Sequence, residues 1–321
     1  MANILTVTPN PALDLTAEIP GLALGAVNRS EATQLQPAGK GINVARVLAQ
    51  LGHTVTVSGF MAESNAAPFE RLFEAEALRD RFVRVLGCNR INIKIAETGG
   101  RVTDINGPGF TLPPQAIEQL KADLGALVKD VDAVVFAGSL PPGLPAQALY
   151  ELMVDCQRIG RPTWLDTSGS ALVEGLKAIP RGVKPNGDEL STWSGRPLSD
   201  RTAHIRAARE MKGAGIREVI VSMGAEGVFW LSPDLELYAT SPPVPVVSTV
   251  CAGDTLLAGI IHGQLSGLPR TDTLQLATAL AAESVRHVGV GNPDAPDLSR
   301  LKQQTRIHSL LGDNTIRELP L

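Results

Sequence analysis

Short apolar, β-rich runs at Ile4–Thr8, Thr54–Ser58, Ala133–Ala137, Thr163–Asp166, Val219–Met223 and Gly227–Leu231 recur along the chain, most of them separated by helix-length segments. Helices are predicted at Gly41–Leu51, Pro114–Val128, Ala146–Ile159, Thr202–Ala214 and Asp254–Leu265, with Gly52, Gly160 and Gly215 stopping three of them. Such alternation builds a mostly parallel sheet with helices on both faces, an α/β fold whose site lies at the carboxyl ends of the strands. The pattern breaks between Phe82 and Phe110. There the runs Phe82–Leu86, Ile91–Ala96 and Arg101–Ile105, joined by turn signals such as Thr98-Gly99-Gly100, resemble antiparallel hairpins. With Asp14–Ile19 and Ser30–Gln36 they predict a small separate sheet over the site, with lid segments at about 12–37 and 82–110; the alternative is an ordinary β excursion at the domain edge. No repeat, low-complexity tract or long linker interrupts the chain, so residues 1–321 are expected to form one domain with a lid.

With 321 residues, 44% of them hydrophobic, the chain can bury one large core or two modest ones. A net charge of -4 and the lack of any Lys/Arg block point away from nucleic-acid and membrane partners and toward a small molecule. Cys88, Cys156 and Cys251 are far apart and lack metal-ligand spacing, which suggests free thiols in a reducing compartment. No apolar run has membrane-spanning length and the N-terminus starts with a strand, so a cytoplasmic protein is expected.

The densest chemistry is Val247-Ser248-Thr249-Val250-Cys251-Ala252-Gly253-Asp254-Thr255, where small residues lead into a long helix. Backbone N–H groups and the helix dipole attract an anion there. Asp254 would repel a resting phosphate, and suits a base that takes a proton from an attacking hydroxyl; alternatively it caps the helix. Base plus anion cradle suggests phosphoryl transfer. In Gly39-Lys40-Gly41-Ile42-Asn43, Lys40 suits a substrate phosphate and Asn43 a sugar hydroxyl, or Lys40 is an exposed turn lysine. Gly138-Ser139-Leu140-Pro141 places a small hydroxyl at the sheet edge, either for a sugar or in a bare turn. Asn186 and Glu189 have the spacing for hydrated Mg²⁺ or for a capping box. Ser222-Met223-Gly224-Ala225-Glu226-Gly227 offers a flat turn to an adenine or ribose, or is a ligand-free glycine hairpin.

Taken in order, these motifs resemble the ribokinase-like (PfkB) carbohydrate kinases over nearly the whole chain, closest to the bacterial 1-phosphofructokinase branch. Thr8-Pro9-Asn10-Pro11-Ala12-Leu13-Asp14, Asn89-Arg90-Ile91-Asn92-Ile93-Lys94, Val102-Thr103-Asp104 and the Ser-Thr-Val form of the last motif carry the closer likeness. The resemblance implies a three-layer α/β/α fold and ATP-dependent phosphorylation of the 6-hydroxyl of fructose 1-phosphate. Tagatose-6-phosphate kinase, 6-phosphofructokinase and a non-catalytic sugar-phosphate sensor are the alternatives. It further implies Asp254 as base and the backbone of Cys251, Ala252 and Gly253 as anion hole. Lys184, Asn186, Glu189, Ser222, Gly224, Gly227 and Thr249 fall at nucleotide and Mg²⁺ positions, and Asp14, Gly39, Lys40, Asn43, Arg90 and Ser139 at sugar-phosphate positions. A homodimer through the lid sheet is expected. Cys251 stands where the family has glycine; a negative φ is expected there. A thiol at a helix N-terminus predicts faster alkylation of Cys251 than of Cys88 or Cys156.

Overall fold

A computed structural model describes residues 1–310 and 316–318. Its strands are β1 (Asn3–Thr8), β2 (Ala12–Ile19), β3 (Ala32–Ala38), β4 (Thr54–Ala62), β5 (Arg79–Val85), β6 (Arg90–Glu97), β7 (Val102–Ile105), β8 (Ala133–Ala137), β9 (Thr163–Asp166), β10 (Gly182–Val183), β11 (Glu218–Ser222), β12 (Val228–Leu231), β13 (Glu236–Thr240), β14 (Arg306–Leu310) and β15 (Ile316–Glu318). The helices are α1 (Lys40–Gln50), α2 (Ala67–Ala75), α3 (Pro114–Leu127), α4 (Ala146–Arg158), α5 (Gly169–Leu176), α6 (Gly187–Ser194), α7 (Arg201–Gly213), α8 (Ala252–Leu265), α9 (Arg270–Ser284) and α10 (Leu298–Gln304).

The main sheet runs β15-β14-β13-β12-β11-β10-β9-β8-β1-β4-β5. Every neighbouring pair from β5 to β11 is parallel and every pair from β11 to β15 antiparallel. Central strands are covered on both faces, which is why β8 reads as the continuous apolar run AVVFA. On one face Ile42 and Leu48 of α1, Phe69 and Phe73 of α2, and Leu256 of α8 pack against Ile4, Val55 and Val57. On the other, Leu120, Leu152, Leu172, Ile205 and Met211 from α3, α4, α5 and α7 pack against Leu5, Phe136 and Val221. The result is three layers, with the sheet in the middle. Helix α9 is not predicted by periodicity because most of its residues are buried, leaving no polar stripe to mark it.

A second sheet, β3-β2-β6-β7, stands apart. Its β6–β7 pair is the expected antiparallel hairpin, but the central β2–β6 pair is parallel. The run beginning at Phe82 does not join it. Phe82 to Val85 lie in β5, parallel to β4 at the edge of the main sheet. Burial explains the difference: Phe82 stacks on Phe73 of α2 with ring centroids 5.7 Å apart, so this strand completes a β4-α2-β5 crossover. In the small sheet, paired residues share a face. Asp14, Gln36 and Asn92 lie on one face, while Leu15, Leu35 and Ile93 lie on the other with Ile105. Among the described residues, no helix is long and apolar enough to cross a membrane.

Candidate active site

β1, β8, β9, β10 and β11 run parallel, so the turns that follow them emerge on one edge of the sheet. Onto that edge α8 brings its N-terminus. Cys251 is the N-cap, with φ 71° and ψ −8° and no side-chain capping bond. Its φ is therefore positive, contrary to the expectation, and for a residue with a Cβ this left-handed conformation costs about 1–2 kcal/mol. The chain accepts that strain in a residue that packs against the apolar core. Asp254 sits inside the first turn and is not the cap. It is 6% exposed, and its Oδ2 accepts a hydrogen bond of 2.8 Å from Asn43 Nδ2 on α1. Burial, reinforced by the Asp166 carboxylate, pushes the Asp254 carboxyl up to about 6; Lys40, the Asn43 bond and Lys184 work in the opposite direction. A carboxylate raised this far toward neutrality is a stronger base at physiological pH.

The charge beneath it is organised by Asp166, the last residue of β9, which has no solvent exposure. Lys40 Nζ lies 2.7 Å from its Oδ1 and Lys184 Nζ 3.2 Å from its Oδ2. Burial would raise the Asp166 carboxyl, but Lys184 and Lys40 outweigh it and hold the group below its ordinary value. Lys40 also lies 3.7 Å from Glu189 Oε1. Burial would lower its ammonium, yet Asp166, Glu189 and Asp254 together raise it above the usual lysine value, so it stays protonated. Lys184 Nζ lies 3.0 Å from where a Cβ on Gly253 would sit, so the missing side chain lets that cation approach the start of α8.

Asn186 is the N-cap of α6. Its Oδ1 accepts from Glu189 N at 2.8 Å and its own N donates to Glu189 Oε2 at 2.9 Å, a complete capping box. Glu189 Oε1 remains turned toward Lys40. Ser222 is tied to this segment by its N–H to the Pro185 carbonyl, 3.1 Å. In the turn that follows, Gly227 has φ 104° and a Cβ there would lie 2.0 Å from Ala239 O, so close approach of β13 requires glycine; the space beside Gly224 is open. Thr249 is exposed.

A cleft lies between the polar face of the small sheet and the start of α8, and Asp14, Asn43, Lys94 and Cys251 line it. Asp14 Oδ1 accepts from Asn92 Nδ2 at 2.9 Å, and Lys94 Nζ lies 3.5 Å from Oδ2. At the start of β6, Arg90 donates to the carbonyls of Asn10, 3.0 Å, and Gly107, 3.3 Å, and the charge of Asp14 acts on it through space. Asn10 Nδ2 reaches Ser139 Oγ at 3.4 Å. Gly39, with φ 143°, caps α1 and accepts from Asn43 N at 2.8 Å, which fixes the turn of helix carrying Lys40 and Asn43. Burial first, then the Asp254 and Asp14 charges, push the Cys251 thiol well above the ordinary value. The helix N-terminus therefore does not activate it, and the expected fast alkylation is withdrawn.

Asp166, Lys94 and Asn92 were missed as site residues. Asp166 ends an apolar strand at the sheet's carboxyl edge, a signal that could have found it; Asn92 and Lys94 alternate with Arg90 along β6, but only strand pairing shows which way they face.

Residues 10–298 match the family described as pfkB family carbohydrate kinase. The chain belongs to this family. It is 42% identical over 307 residues to a 1-phosphofructokinase of Vibrio cholerae, covering 96% of this chain and 97% of the relative. With a 1-phosphofructokinase of Escherichia coli K12 it shares 42% identity over 298 residues, covering 93% and 96%. Phosphofructokinase-2 from Escherichia coli, solved in complex with fructose-6-phosphate, superposes with TM-score 0.85 at 26% identity, covering 94% of this chain and 99% of that one. Ribokinase from Arabidopsis thaliana, with TM-score 0.73 at 21% identity over 94% of this chain and 99% of that one, shares the fold. The three-layer architecture of this pfkB kinase is thus ribokinase-like.

Proposed function

We propose that this pfkB kinase transfers the γ-phosphoryl group of ATP to the 6-hydroxyl of fructose 1-phosphate, giving fructose 1,6-bisphosphate. The observation that carries the substrate choice is the 42% identity with 1-phosphofructokinases along almost the full chain. Asp254 takes the proton as the hydroxyl attacks in line, and the N–H groups at Cys251, Ala252 and Gly253 receive the charge on the transferred group. Asp14, Gly39, Lys40, Asn43, Arg90 and Ser139 hold the sugar phosphate, with the Lys40 and Arg90 cations available to its phosphate. Lys184, Asn186, Glu189, Ser222, Gly224, Gly227 and Thr249 bind the nucleotide.

Mg²⁺ fits this donor set as a hydrated ion. No group of three acidic, His or Cys side chains forms a cage among the described residues, while Glu189 keeps one oxygen outside the capping box. When bound, it supplies charge neutralisation on the ATP phosphates.

The small sheet acts as a lid that excludes water from the cleft. Its other face carries Leu35, 49% exposed, Ile91, 48%, and Ile105, 53%, an apolar surface suited to a second copy of the chain in a homodimer. A cytoplasmic location accords with three free cysteines.

A coupled assay of ADP release tests the substrate by comparing fructose 1-phosphate, fructose 6-phosphate and tagatose 6-phosphate. The highest kcat/KM is expected with fructose 1-phosphate. A preference for fructose 6-phosphate would favour instead the activity suggested by the phosphofructokinase-2 likeness.

A further inference from the structure

We infer that Glu283 is a positioning residue for the catalytic turn, closing a loop that brackets residues 249–254 from both sides. The inference rests on the proposed role of Asp254 as base and adds what holds that base in place. Glu283 lies in the last turn of α9, beside the negative end of the helix dipole, and it is 3% exposed. A charge buried there is costly unless its oxygens are bonded. Both are. Oε1 accepts from His287 Nε2 at 3.0 Å and Oε2 from Asn292 N at 2.6 Å. One carboxylate therefore joins the two ends of the stretch from His287 to Asn292, and Arg286, just ahead of it, is tied to Asp297 at 2.7 Å.

The loop that this carboxylate closes meets the catalytic turn on either side. Before the turn, the Val285 carbonyl accepts from Val247 N at 2.7 Å and from Ser248 N at 3.1 Å. After it, Gly291 N donates at 3.1 Å to Oγ1 of Thr255, the residue that follows Asp254. A Cβ on Gly291 would lie 2.6 Å from Thr255 Cγ2, so glycine lets the two segments meet. Between these ties, Val288 and Gly289 form a wall of the cleft together with Cys251 and Asn43. In the middle of the turn, Cys251 holds φ 71° without a side-chain cap. Such a conformation persists only where its surroundings over-determine it, and the loop closed by Glu283 fastens the turn at two points. Asp254 and the N–H groups ahead of it then keep the alignment that in-line transfer requires. The groups proposed for the sugar phosphate lie on other segments: α1, the small sheet and the turn after β8.

The test joins hydrogen exchange to kinetics. Glu283→Ala is compared with wild type by amide exchange across residues 247–255, read by mass spectrometry, and by steady-state kinetics well below the Tm of both proteins, using the sugar phosphate that the wild type turns over best. Exchange across 247–255 should rise. Turnover should fall at least about tenfold, with the calorimetric Kd of the sugar phosphate, measured without nucleotide, within about threefold of wild type. Glu283→Gln keeps an acceptor for Asn292 N and should lose less turnover than the alanine variant. Thr255→Val breaks the tie on the far side of the turn and carries the comparison should Glu283→Ala fail to fold; it too should speed exchange and lower kcat. Because both changes release one device, the double variant should stay within about twofold of the worse single variant, whereas two independent losses multiply. Exchange does not depend on the reaction, so a wild type without sugar-phosphate kinase activity would defeat the proposed function and leave the clamp to be judged by exchange. The inference is overturned if exchange across 247–255 is unchanged in the single variants, if their kcat stays within about twofold of an active wild type, if the loss lies in sugar-phosphate binding instead of turnover, or if the two losses multiply.

Discussion

Replacing Asp254 by asparagine should make the protein more stable while removing its activity. The carboxyl is 6% exposed and its value rises from 3.8 to about 6 on folding. The sign follows from linkage: a carboxyl whose folded value is raised favours folding when protonated, and that advantage is lost as pH rises through about 6. At pH 8 the ionised wild-type group therefore opposes folding by about 3 kcal/mol, at ~1.4 kcal/mol per pH unit. The substituted amide carries no charge, and its Oδ1 can still accept from Asn43. With an unfolding entropy of ~2.1 cal/mol/K per residue over the chain, the gain corresponds to a rise in Tm of about 4 °C. Thermal unfolding of both proteins at pH 8, 5 and 4 measures it; the difference should shrink by roughly half at pH 5 and nearly vanish at pH 4 as the wild type protonates. In parallel, kcat should fall ~10²–10⁴-fold with loss of the base. An unchanged or lower Tm for the variant at pH 8 would refute the buried, destabilising carboxylate; near-normal turnover would refute its role as base.

Alkylation by iodoacetamide, mapped by mass spectrometry, should label exposed Cys88 first, because burial pushes Cys156 up to about 12 and Cys251 higher still; labelling of Cys251 ahead of Cys88 would contradict this. His53 bonds His262 at 2.9 Å, and burial followed by the His262 charge lowers it from 6.5 to about 4. A lowered histidine favours folding in its neutral form, so wild-type stability should decline as pH falls from 6.5 toward 4, and His53→Gln should flatten that decline in a pH series of thermal melts. Ile105→Glu, on the exposed face of the small sheet, should convert a dimer to monomer in analytical ultracentrifugation; a sedimentation coefficient equal to wild type would remove that face as the dimer contact.

Most of the layered fold is legible locally. Strands such as β1 and β8 announce themselves as apolar runs, and α1, α4 and α7 as amphipathic segments ending near glycine, because burial on both faces or on one stripe leaves a direct imprint on residue order. Helix α9 leaves no such imprint, since it is buried nearly all round. The run at Phe82 was assigned to the wrong sheet because an apolar strand looks the same whichever sheet accepts it; its partner, β4, was decided by the packing of Phe82 on Phe73. The family motifs mark where chemistry is concentrated, and Asp254, Asn43 and Lys184 are among the residues they name.

What order along the chain determined was the set of elements, the glycine-bounded turns at the strand ends and the kinds of group presented there. What only the folded molecule decided was which groups meet. Asp254 and Asn43 are 211 residues apart, Lys40 and Asp166 126 apart, and each pair forms only because parallel strands bring their ends to one edge. The direction of the Lys40 ammonium, the positive φ of Cys251 and the raised value of Asp254 share that origin. Electrostatics and burial depend on distance in space, and local sequence patterns carry little information about such distances.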